Sequence, residues 1–221
     1  IVGWGDNHAG QLNVPAPNDG FIAIAAGSSH TLGLKADGSI AAWGDNAFGQ
    51  TDVPAPNASF IGIAAGDHHS LGLKADGSIV GWGSNGSGQC DVPAPNSGFT
   101  AVAANFDDSL GLKANGAIVA WGRNASGQTN VPAPNTDFVA VAAGQFHSLG
   151  LKGDGSIVGW GGNSSGQLNV PSPNADFIGI AAGDYHSLGL KADGSIVAWG
   201  YNYYGQTNVP ASNADFVAIA G

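Results

Sequence analysis

Histidine recurs at positions 30, 69, 147 and 186, and Asp108 takes the matching place in a fifth copy. Four imidazoles and a carboxylate at one repeat position could ring a metal ion. Ligation would need them to converge to about 2 Å from that ion. A serine or threonine follows each of the five, with aspartates close by, so a Ser-His-Asp reading also arises. A triad needs one unique constellation with an oriented base and an oxyanion hole. Five copies of one pair describe architecture instead. Histidines on separate units, sharing a strand face with leucines, are expected to hydrogen-bond within their own unit. No Gly-x-Ser-x-Gly elbow, phosphate loop or calcium loop occurs. We expect no catalytic residue, no metal site, no cofactor and no enzyme. Cys90 is the only cysteine, which excludes an intrachain disulfide, and it reads as a small buried side chain.

The elements that carry these residues are set by a repeat. Tryptophans fall at 4, 43, 82, 121, 160 and 199, always 39 residues apart, and the whole 221-residue chain follows that period. Repetition on this scale marks solenoids, propellers or arrays. Each unit predicts three short strands, as in Phe21–Gly27, His30–Lys35 and Ser39–Trp43. Ala36-Asp37-Gly38 forms a tight turn between the last two. Val14-Pro15-Ala16-Pro17-Asn18 reads as an extended connector, because proline lacks the ladder donor. Both strand faces are apolar or small, so each sheet must be covered on both sides. Small sheets stacked on one another meet that need. The expected fold is all-β: one β-propeller domain over residues 1–221, with three-stranded antiparallel blades and the six tryptophans as inter-blade core. An open solenoid is the alternative, but no capping repeats are visible. Counting gives 17 strands, since the chain opens in a third strand, Ile1–Trp4, and ends in a first strand, Phe216–Gly221. That predicts about six blades with the last incomplete, or seven if the chain is a piece of a longer one.

Composition narrows the function classes. All 16 acidic residues are Asp, against six basic ones, and the net charge is −10. That argues against a nucleic-acid backbone and an anionic membrane surface as partners. No run of about 18 apolar residues is present to span a membrane. No leader is visible, and a start at Ile1 fits either its removal or a trimmed end. The lysines at 35, 74, 113, 152 and 191 read as a solvated stripe beside the turn aspartates. Asn57, Asn85, Asn124 and Asn163 match the glycosylation pattern, to which we attach no meaning.

Segments such as "AAGDYHSLGLKADGSIVAWGYNYYGQ" resemble the repeat of the regulator of chromosome condensation family, over the whole chain. The compact 39-residue unit is most similar to a bacterial branch that includes propeller-type β-lactamase inhibitor proteins. The resemblance implies the propeller strongly and the function weakly. Inhibitors of that group have seven blades, more than this chain supplies. The family's founder acts on a small nuclear GTPase and binds chromatin, a role that nothing in these acidic, compact repeats supports.

The copies differ from one another in two places. One is the pair after "AAG" or its equivalent, which includes Asp67, His68, Phe106, Asp107, Phe146, Asp184 and Tyr185. The other surrounds the constant Asn after "WG" and includes Asp6, His8, Asp45, Phe48, Arg123, Tyr201, Tyr203 and Tyr204. In an up-down-up meander both places fall on one rim, and the constant "KADG" turn falls on the other. A rigid scaffold with variable loops on one face is how binding surfaces are built. Aromatics there are hot-spot residues, and the aspartates favour a basic or mixed partner surface. We therefore expect a non-enzymatic module that binds another protein through this rim. A secreted or cell-surface bacterial inhibitor of a β-lactamase-like enzyme is the specific form. Self-assembly through the incomplete blade and glycan binding are the alternatives.

Overall fold

The computed structural model describes all 221 residues and contains strands but no helix. Fifteen strands form five antiparallel sheets of three, each in the order first-second-third. They are β1 Phe21–Ala26, β2 His30–Lys35 and β3 Ile40–Gly44; β4 Phe60–Ala65, β5 His69–Lys74 and β6 Ile79–Gly83; β7 Phe99–Asn105, β8 Asp108–Lys113 and β9 Ile118–Gly122; β10 Phe138–Ala143, β11 His147–Lys152 and β12 Ile157–Gly161; and β13 Phe177–Ala182, β14 His186–Lys191 and β15 Ile196–Gly200. The chain divides into two compact units. One is Ile1–Gly111 with Trp121–Arg123, and the other is Leu112–Ala120 with Asn124–Gly221.

The sequence explains each sheet. In the first, Leu32 pairs with Ala42 and Gly33 with Ala41, so the apolar set of β2 and β3 is in register. Gly33 has no side chain because the Phe21 ring lies across it; an added Cβ would stand 2.4 Å from Phe21 Cε1. The Lys35 ammonium then sits over the same ring, 5.1 Å from its centroid. Lys74, Lys152 and Lys191 repeat this over Phe60, Phe138 and Phe177. Lys74 Nζ also donates to the carbonyls of Pro56 and Ala58, at 3.1 and 2.9 Å. These lysines are therefore not a solvated stripe. Lys74, Lys152 and Lys191 clamp the proline connectors onto the sheets, with their stems over aromatic faces.

In the first unit, Leu32, Leu34 and Ile40 of one sheet pack with Phe60, Ala65 and Trp82 of the next. In the second unit, Leu149, Leu151 and Ile157 pack in the same way with Phe177 and Trp199. In each unit, then, one sheet's leucine face packs on its neighbour's Phe-Trp face. The connectors are fixed by asparagine. Asn57 Oδ1 accepts from Ile40 N and Asn57 Nδ2 donates to Ile40 O, both at 2.8 Å. Asn96, Asn135, Asn174 and Asn213 do the same for Ile79, Ile118, Ile157 and Ile196. The amide nitrogen of Asn57 is thereby occupied, which accounts for one glycosylation-pattern match in structural terms.

Two expectations change. Ile1–Trp4 and Phe216–Gly221 are not strands, so 15 strands form where 17 were counted. A strand needs a hydrogen-bonding partner, and neither segment is paired in a sheet. Trp4 is accordingly 85% exposed, whereas the other five tryptophans are buried.

Candidate functional site

The two variable segments of each copy are brought together by a backbone hydrogen bond at the same end of its sheet. Asp45 N donates to Ser29 O, Ser84 N to His68 O and Arg123 N to Asp107 O. Gly162 N donates to Phe146 O, and Tyr201 N to Tyr185 O. The "KADG" turns close the opposite ends, as where Gly38 N donates to Lys35 O. The turn aspartates are held there as well. Asp37 Oδ1 accepts from Ser39 Oγ and N, and those bonds lower its carboxyl pKa.

The loop after "WG" is rigid for reasons written in its constant residues. Gly200 takes φ +104°, a conformation that L side chains rarely adopt, and turns the chain out of β15. Asn202 then spans the loop, donating to Asn208 Oδ1 and accepting from Thr207 N. Gln206 Oε1 accepts from Tyr204 N at 3.0 Å. Tyr203 and Tyr204 therefore stand on a braced turn, 78% and 82% exposed.

Around them the second unit carries a run of rings. Phe146 meets Tyr185 at 5.2 Å between centroids, and Tyr185 meets Tyr201 at 6.1 Å. Tyr201 stacks on Tyr203 at 6.3 Å, and Tyr203 meets Tyr204 edge-to-face at 4.9 Å. Asp184 is exposed in the turn that carries Tyr185. In the first unit, exposed Phe48 packs on His68 at 4.8 Å, and the Arg123 guanidinium lies 5.2 Å from the Phe106 centroid.

Not every candidate stands free on this rim. Asp45 accepts from the buried Gln50 side chain at 2.9 Å, and Asp107 accepts from Gln89 at 2.9 Å. Both aspartates are half-buried. Asp6 pairs with His8 and with Gln11. These three brace loops, so the rim's free charge is smaller than the aspartate count suggests. Asp67 is half-buried, and its N–H donates to Phe106 O.

The histidines form a different device. His30 Nε2 lies 3.0 Å from Ser70 Oγ in the following sheet. Ser70 Oγ–H donates to Gln50 O, which also accepts from Trp82 Nε1–H at 2.9 Å. His69 with Ser109, Gln89 and Trp121 repeats this node, and so does His147 with Ser187, Gln167 and Trp199. The expected bond within one blade is thus a bond between neighbouring sheets. Because the serine proton is committed to the carbonyl, Nε2 must be the donor to Ser Oγ. An imidazole in that tautomer cannot take the serine proton, so the pair is not an activated nucleophile. All three histidines are buried, and desolvation holds their pKa at about 4.

The buried glutamines went unnoticed in the sequence reading. Gln50, Gln89, Gln128 and Gln167 are fully enclosed, and their constancy after "WGxNxxG" was the available signal. Cys90 is half-buried; Sγ lies 3.2 Å from Ser84 O, and desolvation pushes the thiol up to about 11.

The model of the regulator of chromosome condensation (RCC1) repeat matches residues 21–50, 60–89, 138–167 and 177–206. The third repeat lies outside those matches and carries Asn105-Phe106-Asp107-Asp108 where its neighbours have Gly-x-x-His. No curated protein matches the chain. Among solved structures it is similar to Prp20p from Saccharomyces cerevisiae, at 22% identity and a TM-score of 0.75, over 90% of this chain and 61% of that one. It is similar to the ectodomain of the receptor kinase CR4 from Physcomitrella patens, at 29% identity and 0.71, over 90% and 56%. It is also similar to the ACR4 ectodomain from Arabidopsis thaliana, at 26% identity and 0.69, over 89% and 70%. The chain spans about three fifths of the length of the first two. The fold is a β-propeller of three-stranded antiparallel blades.

Proposed function

This chain belongs to the regulator of chromosome condensation (RCC1) repeat family, and we propose from that premise that it is a non-enzymatic module that grips another protein through its variable rim. The observation that carries the reading is the run Phe146–Tyr185–Tyr201–Tyr203–Tyr204, with its last two rings about four-fifths exposed on a braced loop. Rigid tyrosines give large contact area for little lost side-chain freedom, and they are frequent hot spots. The fold is one used for protein interaction, since Prp20p is described by its binding to Gsp1p and histones. The specific form we favour is a secreted or cell-surface bacterial inhibitor that plugs the cleft of a β-lactamase-like enzyme with these rings.

The test is inhibition of a panel of class A β-lactamases by the wild-type protein and by two double variants. Tyr203→Ala/Tyr204→Ala is expected to weaken inhibition about 30-fold or more. Asp76→Asn/Asp154→Asn, on the opposite turns, is expected to leave it unchanged. Absence of inhibition across the panel would remove the inhibitor form.

A further inference from the structure

The chain shows how it treats its own cations. Its lysines and its arginine lie over aromatic rings. Lys35, Lys74, Lys152, Lys191 and Arg123 stand 5.1, 4.2, 3.9, 4.7 and 5.2 Å from the centroids of Phe21, Phe60, Phe138, Phe177 and Phe106. A cation within about 6 Å of a ring face is held by the ring's quadrupole. The tyrosine cluster has the rings without the cation. In the second unit Lys152 and Lys191 are engaged at the opposite ends of their strands, bonded to connector carbonyls such as Thr136 O and Ala175 O. Asp184 is exposed in the turn that carries Tyr185, and its charge acts on the neighbouring His186.

We infer that the Tyr185–Tyr201–Tyr203–Tyr204 cluster, with Asp184, is a docking site for an arginine-bearing segment of a partner protein. This rests on the rim being a protein-binding face and names the chemistry that the face selects. Tyrosine faces suit a planar guanidinium, which stacks as well as carrying charge. An exposed neighbouring carboxylate can accept from the guanidinium fork. The chain's net charge of −10 favours approach of a basic segment.

The test pans a random twelve-residue displayed-peptide library on the wild-type protein, with counter-selection on Tyr203→Leu/Tyr204→Leu. Rim-dependent peptides are expected to be enriched in arginine. Replacing that arginine by citrulline, which keeps the planar shape and removes the charge, is expected to lower affinity about tenfold. Asp184→Asn is expected to lower it about threefold and to reduce its salt dependence. Rim-dependent peptides without cationic residues, or indifference to citrulline, would overturn this inference and leave the protein-binding rim standing. If every selected peptide bound the double variant equally well, the rim reading would fall and the inference with it.

Discussion

Lowering the pH from 7 to 4 is expected to unfold this protein through its buried histidines. His30, His69 and His147 are each fully enclosed between sheets, and desolvation holds their pKa at about 4 against 6.5 in the unfolded chain. The folded value is the lower one, so below pH 6.5 the unfolded chain binds protons that the folded chain refuses. The contribution is fully present above about pH 6.5 and is lost as pH falls towards 4. Each histidine then costs about 3 kcal/mol at pH 4, and three together approach the whole stability of an ordinary domain. Denaturant midpoints measured from pH 7.5 to 4.5 should fall steeply, with two to three protons taken up on unfolding near pH 5. His69→Asn should reduce that uptake by about one proton. Midpoints that stay level to pH 4.5 would mean that the imidazoles are not sealed between sheets.

Replacing Trp82 by Ala is expected to destabilise the chain by about 3–5 kcal/mol, whereas Trp4→Ala should change stability by less than about 0.5 kcal/mol. Trp82 is buried against Leu32, Leu34, Ile40 and Phe60, and its indole N–H bonds to Gln50 O. Truncation removes the apolar burial and leaves a cavity between two sheets. The Gln50 carbonyl keeps its bond from Ser70, so no buried acceptor is orphaned and the loss is one of packing. Trp82→Phe should recover most of the difference. Equal shifts for Trp82→Ala and Trp4→Ala in urea unfolding would contradict the packing described.

Much of this was legible because the repeat is nearly exact. The 39-residue spacing, the "KADG" turn and the apolar alternation fix three strands per unit by local rules, and the five complete sheets follow them. The common end of the two variable segments was also legible, since a meander leaves no other placement. What escaped was non-local. The His30–Ser70–Gln50 node joins residues 40 and 20 positions apart, and strand periodicity does not say which neighbour a buried polar group will meet. Lys74 looked solvated because its charge suggested water, while its stem and ammonium lie on Phe60. Asp45 and Asp107 looked like rim charges because nothing local tied them to Gln50 and Gln89. Trp4 looked like core because its sequence context is that of the buried copies, but burial belongs to the covering face, not to the residue.

The most direct measurement of the central claim is photocrosslinking from two positions, in the cells or culture fluid that produce the protein. A photoreactive benzoyl-phenylalanine would replace Tyr203 on the variable rim, or Asp76 on the opposite turn. The binding-rim account expects a covalent adduct of one discrete mass from position 203 and none from position 76. Equal adducts from both positions, or an adduct from position 76 alone, would contradict it.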